Sequence, residues 1–421
     1  MRLMKKYPYL NVVDAAAVRY PSPSNFSYFW SFGVFSLTCL VIQIITGIFL
    51  AMHYNSDISL AFISVEHIMR DVNYGWLVRY IHANGASMFF LVVYIHMFRG
   101  LYYSSFVRPR HFLWISGVLI MFVMIMTAFM GYVLPWGQMS FWAATVITNL
   151  MSAIPFVGND VVIWLWGGYS VGNATLSRFF ALHYLLPFII LALAIVHILL
   201  LHEFGSNNPL GIDAYPDAVY LTPYYTIKDL LSIVFFLIFF GFFVYFVPNY
   251  LGHPDNYIPA NPLVTPPHIV PEWYLLPFYA ILRSIPDKLG GVLALLAAII
   301  ILAFAPVLLE ADIRGLQHRY YAKPLFFVFF VICLMLGWLG AQPIKAPYYQ
   351  LGQVVTFLYF AYFIILYPAV IQYEKYLNKL FLEDLSDEYD AMIARRLVEY
   401  GPEGLMGHEI NPFREELERL K

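Results

Sequence analysis

Eight long apolar segments constrain this chain more than any other feature of its sequence. Each has about twenty residues and few charges, the length that a helix needs to cross a hydrocarbon core of roughly 30 Å. Because 61% of the 421 residues are hydrophobic and only 12% are charged, a water-soluble surface is excluded. The segments are predicted near Phe32–His53, Trp76–Tyr102, Phe112–Leu134, Arg178–Glu203, Asp229–Val247, Leu289–Leu309, Pro324–Gly340 and Val354–Gln372.

The prediction is therefore an all-α, polytopic membrane protein with eight transmembrane helices. Basic residues concentrate in loops on one side, which predicts the N-terminus on the negative side, the matrix or the cytoplasm. Eight crossings return the C-terminus to that side. The formal net charge of −2 gives no sign of nucleic-acid binding. The basic residues on the negative side are Arg2, Lys5, Lys6, Arg19, Arg108, Arg110, Arg314, Arg319 and Lys323.

Composition divides the chain into three predicted parts. Residues 1–210 hold the first four helices, and residues 211–372 hold the last four. Residues 373–421 form a charged extension, with 12 acidic and 7 basic residues from Glu374 to Lys421. The alternation from Ala391 to Val398 predicts an amphipathic helix on the surface of a complex, and a solvated tail is the alternative.

Two pairs of histidines lie inside predicted membrane helices. His82 and His96 are 14 residues apart on the second helix, and His183 and His197 have the same spacing on the fourth. Fourteen residues make about 3.9 helical turns, so each pair shares one face and is separated by roughly 21 Å along the axis. Two such helices can supply both axial ligands to two haem irons, one above the other, in a four-helix bundle.

Spacing alone is weak evidence for ligation. His53 and His67 are also 14 residues apart, but His67 falls in a polar loop. What distinguishes the other four histidines is their place in apolar helices, where ionisable side chains are costly and usually functional. Histidines that only hydrogen-bond between helices are the alternative.

Two glycine pairs repeat the same spacing. Gly33 and Gly47 lie on the first helix, and Gly117 and Gly131 lie on the third. A planar macrocycle wedged in a bundle needs missing side chains where its edge meets a neighbouring backbone. Packing of helices through small residues explains one such pair, but two pairs at the haem repeat favour haem.

Two arginines lie one turn beyond the second-helix histidines. Arg79 precedes His82, and Arg99 follows His96. A guanidinium group is a good partner for a haem propionate carboxylate. Snorkelling of both side chains from the helix ends is the alternative.

Two loop motifs complete a pattern that resembles the cytochrome b family, over roughly nine-tenths of the chain. They are LPWGQMSFW, which begins at Leu134, and PEWY, which begins at Pro271. The photosynthetic relative divides this protein into two chains and has one more residue between its fourth-helix histidines. Continuous helices and a spacing of 14 in both pairs therefore indicate the respiratory type.

The resemblance implies two b-type haems and a place in the Q cycle of a quinol:cytochrome c oxidoreductase. The low-potential haem would lie near the positive side on His82 and His183. The high-potential haem would lie near the negative side on His96 and His197. Ubiquinol would give one electron to a Rieske protein, and the other would cross both haems to reduce quinone.

The resemblance also implies two quinone sites. On the positive side, Glu272 would accept a quinol proton, and Pro271 and Tyr274 would shape the pocket; a structural salt bridge is the alternative for Glu272. On the negative side, two residues would bind quinone carbonyls and pass protons, with two more in support. An ordinary positive-inside anchor is the alternative for the supporting lysine. These four residues are His202, Asp229, Ser206 and Lys228.

One residue departs from the family pattern. Where the family usually reads Phe-Trp-Gly-Ala, this chain reads Phe-Trp-Ala-Ala from Phe141. Ala143 would therefore add a methyl group to the wall of the quinol-oxidation pocket. In this family that exchange is associated with resistance to strobilurin-type inhibitors.

The resemblance further implies obligatory partners, because the chain has neither iron–sulfur ligands nor a c-type haem motif. These are the Rieske iron–sulfur protein, cytochrome c1 and other complex III subunits, in a dimer that stands alone or within a supercomplex in the lipid bilayer. The expected location is the mitochondrial inner membrane, with a bacterial inner membrane as the alternative. A haem-free secondary transporter and a structural subunit are the rival functions.

Overall fold

The computed structural model describes residues 7, 11, 14–212 and 214–400, with side chains for all of these except residues 215, 389, 390 and 392–400. In this part of the chain, fourteen α-helices are joined by short helical turns and loops. In chain order they are α1 Phe32–Ala51, α2 Ala61–Arg70, α3 Gly75–Tyr102, α4 His111–Val133, α5 Gln138–Asn149, α6 Gly158–Trp166, α7 Asn173–Phe204, α8 Thr226–Tyr245, α9 Leu276–Ser284, α10 Lys288–Ala303, α11 Ala305–Leu308, α12 Ala322–Gly340, α13 Tyr348–Ala361 and α14 Tyr367–Tyr400.

The all-α membrane architecture is confirmed, with a difference in the number of long spans. Among the described residues, seven helical segments are long and apolar enough to cross a membrane. They are Tyr28–Ala51, Gly75–Tyr102, His111–Val133, Asn173–Phe204, Leu221–Tyr245, Ala322–Gly340 and Tyr348–Glu388.

The sixth predicted span is divided into α10, with 16 residues, and the short α11. Pro306 explains the break, because proline lacks an N–H and its ring collides with the carbonyl four residues earlier, that of Leu302. The Trp114 indole instead donates to the Leu302 oxygen at 2.6 Å. The buried carbonyl therefore keeps a partner although the helix is interrupted.

The first four spans pack as two helix pairs. Helix α1 lies along α3, and α4 lies along α7, while α1 also touches α7 and so brings the pairs together. A buried apolar cluster fills the space among α1, α3, α4, α7 and α8. Its members include Cys39, Leu40, Phe89, Phe90, Met124, Ile190 and Phe236.

The second half packs around an apolar core that includes residues of α3 and α4, and within it α9 packs on α12 and both contact α13. Arg319, expected as a loop cation, lies at the edge of this core with a side chain only 2% exposed. Its guanidinium donates to Glu374 Oε2 at 2.7 Å and to the Tyr367 hydroxyl at 2.8 Å. The loop before α12 is therefore fastened to α14.

Helix α14 continues without a break from the last span into the charged extension. The predicted boundary at residue 373 therefore falls inside a helix. The backbone of residues 391–398 is helical, but the side chains of residues 392–398 lie outside those described. The amphipathic packing expected there stays a prediction.

A small antiparallel sheet was not expected from the sequence. Strand β1, Pro21–Pro23, pairs with β2, Ala218–Tyr220, and Ser22 lies opposite Val219. Three-residue strands carry little periodicity, so sequence patterning cannot detect them. The sheet attaches the N-terminal segment to the loop before α8.

Candidate functional site

The four intramembrane histidines meet in two pairs, one at each of two depths in the bundle. The ring centroids of His82 and His183 are 6.1 Å apart, and those of His96 and His197 are 6.4 Å apart. An imidazole nitrogen binds a metal at about 2 Å and lies about 1.1 Å from its ring centre, so two rings on opposite sides of one ion have centroids roughly 6 Å apart. Both separations suit one metal ion between the rings.

Each of these rings has a glycine opposite its Cε1 atom. Helix α1 supplies the glycines that face the α3 histidines, and α4 supplies those that face the α7 histidines. A Cβ atom built on each glycine would lie 3.1 Å from His82 for Gly47, 3.5 Å from His96 for Gly33, 3.2 Å from His197 for Gly117 and 2.3 Å from His183 for Gly131. The missing side chains thus make room for the imidazoles, and the clearance for a macrocycle that the sequence suggested stays a prediction.

Gly131→Ala is expected to displace the His183 ring, because the new methyl group would lie 2.3 Å from Cε1. The ring cannot move freely, since its Nδ1 lies 2.8 Å from the Thr127 carbonyl oxygen. If this pair holds a haem, as the resemblance implies, the variant is expected to lose most of it. Gly33→Ala is the matched control, because its methyl group would make an ordinary contact at 3.5 Å. Haem content of the purified variants measures the difference, and equal losses would contradict this account.

A cavity of about 620 Å³ joins the first histidine pair to the PEWY motif. His82 and His183 line it, together with Arg79, Glu272 and Tyr274. The volume is typical of small-molecule and cofactor sites. One continuous space therefore connects this histidine pair with Glu272, at the end of the bundle where α3 and α7 begin. We call this the Glu272 end.

Burial raises the pKa of the Glu272 carboxyl to about 7. The Tyr132 hydroxyl and the positive charge of Arg79 oppose this rise without cancelling it. Glu272 can therefore gain and lose a proton near neutral pH, as a general base requires. Tyr132 was not found by sequence reasoning, because a tyrosine at the end of an apolar helix is an ordinary interfacial residue.

The PEWY motif is anchored on α3. The Tyr274 ring stacks on Phe90 with centroids 4.0 Å apart, and the Tyr94 hydroxyl donates to the Tyr274 carbonyl at 2.5 Å. The Trp273 indole donates to Ser87 Oγ at 3.1 Å. The same helix therefore positions both His82 and the motif that carries Glu272.

Two residues expected in the quinol pocket do not line this cavity. Ala143 is 5% exposed within α5, and Pro271 is partly buried just before Glu272. Ala143 is therefore buried among packed side chains and is not part of the described cavity wall. A methyl group there is close-packed, so any effect on a ligand has to pass through its neighbours.

The opposite end of the bundle, where α3 and α7 finish, carries the other predicted quinone residues. The Ser31 hydroxyl donates to Asp229 Oδ1 at 2.8 Å. The ring centroids of His202 and Tyr20 are 4.2 Å apart. His202 and Asp229 thus each contact the N-terminal segment of residues 20–31. We call this the Asp229 end.

Lys228 is turned towards the same segment. Its ammonium donates to the Phe26 carbonyl and lies 4.8 Å from the Tyr28 ring centre. Ser206 lies two residues after the end of α7, and its side chain is partly buried. Sequence reasoning missed the N-terminal segment as part of this site, although its aromatic run from Tyr28 to Trp30 is typical of a membrane interface.

The two arginines occupy different surroundings. Arg79 lines the cavity at the Glu272 end. Arg99 Nη2 lies 2.9 Å from His96 Nδ1, and its guanidinium lies 5.2 Å from the Trp30 ring centre. Arg99 Nε is buried and has no hydrogen-bond partner among the described residues. Arg79, an expected propionate partner, thus lines the same cavity as His82. Arg99, the other expected partner, contacts the His96 ring directly.

Fold and site together define an integral membrane protein in which a four-helix bundle holds two histidine pairs at two depths. The family model described as Cytochrome b/b6/petB matches residues 17–205, and the model Cytochrome b(C-terminal)/b6/petD matches residues 259–360. The chain belongs to the cytochrome b family.

Individual members of the family are similar to this chain over nearly their whole length. Cytochrome b of Chondrus crispus is 60% identical over 90% of this chain and 99% of its own, and that of Cyanidium caldarium is 59% identical over 88% and 97%. A solved structure of a hyperthermophilic respiratory complex III is similar with a TM-score of 0.83 and 37% identity, over 89% of this chain and 98% of that one. The respiratory resemblance is therefore confirmed at the level of the family.

Proposed function

We propose that this chain is the di-haem subunit of a quinol:cytochrome c oxidoreductase. The observation that carries the proposal is the pair of histidine–histidine separations, 6.1 and 6.4 Å, at two depths in one bundle. A haem-free transporter has no need for two such pairs. A purely structural subunit has no need for the cavity that joins one pair to Glu272.

His82 with His183, and His96 with His197, would each hold one b-type haem. When bound, the haems would supply one-electron carriers at two depths, the low-potential one at the Glu272 end. Arg79 and Arg99 would bind propionates. Because a guanidinium only donates, Arg99 would turn from His96 Nδ1 towards a carboxylate, which would free the ring to ligate through Nε2.

Quinol would be oxidised at the Glu272 end. The buried Glu272 carboxylate would take a proton from the quinol hydroxyl as the electrons leave. Tyr274 would form the wall, fixed by its stacking on Phe90. The proton would leave on the positive side, since the loops at this end face it in the predicted topology.

Quinone would be reduced at the Asp229 end. Asp229 and His202 would hydrogen-bond the quinone carbonyls and deliver protons from the negative side. Ser206 and Lys228 would support them. The Ser31 hydroxyl already donates to one oxygen of Asp229, which would leave the other oxygen, when protonated, to donate to a quinone carbonyl.

The partners are also proposed from the family. A Rieske iron–sulfur protein would take the first quinol electron and pass it through cytochrome c1 to a soluble cytochrome c. The assembly would be a dimeric complex III in the mitochondrial inner membrane, or in a bacterial inner membrane. The similarity to a chain of a solved respiratory complex III supports this assignment.

The proposed function is tested by adding ubiquinol to the purified complex and following both cytochrome c and the b-haem absorbance. We expect cytochrome c to be reduced, and the b haems to be reduced transiently by the same quinol. Cytochrome c reduction without any b-haem signal would contradict the role of this chain. Substrate transport without redox activity would favour the transporter.

Ala143 gives a separate prediction about inhibition. We expect azoxystrobin to inhibit the native complex weakly, and Ala143→Gly to raise sensitivity at least about tenfold, as one methyl group can in a tight pocket. Because Ala143 is buried and does not line the cavity beside Glu272, the change would act through neighbouring side chains. Dose–response curves for quinol oxidation measure the effect, with Ala144→Gly as the adjacent buried control. Potent inhibition of the native complex would refute the prediction.

A further inference from the structure

Two hydroxyl side chains contact the rings of two of the four histidines. Thr46 Oγ1 on α1 lies 2.9 Å from His82 Nδ1, and Ser116 Oγ on α4 lies 2.8 Å from His197 Nδ1. Each hydroxyl residue directly precedes the glycine that faces the same ring. Each histidine pair therefore has one ring in contact with a hydroxyl group, and the two pairs lie at opposite ends of the bundle.

The direction of these hydrogen bonds follows from the second contact of each hydroxyl. Thr46 Oγ1 lies 2.6 Å from the Ile42 carbonyl oxygen, and Ser116 Oγ lies 2.8 Å from the Leu113 carbonyl oxygen. A carbonyl can only accept, so the hydroxyl proton is donated to it. The hydroxyl oxygen is left to accept, and the ring Nδ1 must carry the proton.

The opposite arrangement is unfavourable. If the hydroxyl donated to Nδ1, no proton would lie between two acceptor oxygens held at 2.6 or 2.8 Å. The neutral ring with a proton on Nδ1 keeps its lone pair on Nε2. Each hydroxyl thus selects the tautomer that can bind iron through Nε2.

We propose that Thr46 and Ser116 are positioning residues that fix the tautomers of His82 and His197 and set the potentials of the two haems independently. The inference rests on the proposed di-haem function. A hydrogen bond from Nδ1–H to an acceptor makes the imidazole a stronger electron donor and favours oxidised iron. Loss of the acceptor should therefore raise the potential of the haem concerned.

The other histidine of each pair has a different partner. His183 Nδ1 lies 2.8 Å from a backbone oxygen, that of Thr127, which no side-chain substitution removes. His96 Nδ1 faces the guanidinium of Arg99, which cannot accept a proton. The hydroxyl substitutions therefore alter one ligand of each haem and leave its other ligand unchanged.

The test is a potentiometric measurement on the purified complex, in which the two haems are distinguished by their α-bands and EPR signals. The variants are Thr46→Val and Ser116→Ala. Each variant is expected to raise the midpoint potential of a different haem. At a fixed ambient potential, the ratio of reduced to oxidised haem should increase roughly three- to tenfold, which corresponds to about 30–60 mV for one electron. Thr46→Ser keeps the acceptor and should retain the native potential.

Matched controls come from α1 itself. Thr38 and Ser36 also donate to carbonyls four residues earlier, those of Val34 and Phe32. Thr38→Val and Ser36→Ala should leave both potentials unchanged. If the Thr46→Val complex fails to assemble, Thr46→Ala removes the same hydroxyl without a branched side chain.

The outcomes separate the two proposals. Selective shifts in Thr46→Val and Ser116→Ala, with native values in Thr46→Ser and in the controls, support the inference. Two haems with unchanged potentials in every variant overturn it and leave the di-haem function intact. Absence of haem from the native complex overturns both.

Discussion

Replacement of His183 by leucine is expected to remove one haem and to abolish quinol oxidation. His183 is the α7 member of the pair at the Glu272 end, with its ring centroid 6.1 Å from that of His82. Leucine fills a similar volume but offers no ligand. The haem-to-protein ratio should fall from two to one, and cytochrome c reduction should fall to background, because one carrier of the electron path is missing.

The matched control for this substitution is His67→Leu. His67 has the same 14-residue spacing from His53, but it lies on the surface, where it contacts Asp71 at 2.9 Å. This variant should keep two haems and full activity. Two haems in His183→Leu, or loss of haem in His67→Leu, would show that the ligand assignment is wrong.

Glu272→Gln is expected to slow quinol oxidation by about a hundredfold or more, the usual effect of removing a general base. The native enzyme should also depend on pH in a defined direction. Burial raises the pKa of Glu272 to about 7, so the carboxyl is protonated and inactive as a base below that pH. The native rate should therefore rise as pH increases through about 7, and the glutamine variant should lack this inflection.

The kinetic measurement is kcat/KM for ubiquinol from about pH 5.5 to about 8.5, because kcat/KM reports the pKa of the free enzyme and this range brackets the expected inflection. Glu310→Gln is a suitable control, because Glu310 is a half-exposed carboxylate paired with Arg108 in another loop. It should keep the native profile. A Glu272→Gln enzyme with an unchanged rate and pH profile would exclude Glu272 as the proton acceptor.

Most of the architecture could be predicted from the sequence, since apolar length alone decides where a chain can cross a bilayer. The sixth span is the exception. Its composition is apolar throughout, but Pro306 ends the helical hydrogen bonding and Trp114 takes the freed carbonyl. Periodicity and hydropathy contain no information about which distant side chain will bond to such a group.

The histidines and glycines could be predicted because all of them follow from a single repeat of 14 residues. Their mutual placement follows from helix geometry, and the structure adds which glycine faces which ring. The hydroxyl partners could not be predicted, because a serine or threonine inside an apolar helix is usually satisfied by its own backbone. Only the packing of α1 on α3, and of α4 on α7, brings Thr46 and Ser116 to the rings.

The residues of the two quinone sites were predicted by family resemblance. Their surroundings depend on contacts between segments that are far apart in the sequence. The pKa of Glu272 is raised because the surrounding helices bury its carboxyl, although Arg79 and Tyr132 oppose the rise. The Asp229 end depends on the N-terminal segment, which a three-residue strand pairing holds against the loop before α8. Contacts between segments so far apart in the chain are invisible to a reading of local patterns.

The proposed function depends on two histidine pairs that hold two haems in one bundle. The most direct test is the reduced-minus-oxidised optical spectrum of the purified complex during a potentiometric titration. We predict two b-type haems for each copy of this chain, with two distinct midpoint potentials. A single haem would mean that one histidine pair is wrongly assigned, and absence of haem would contradict the whole account.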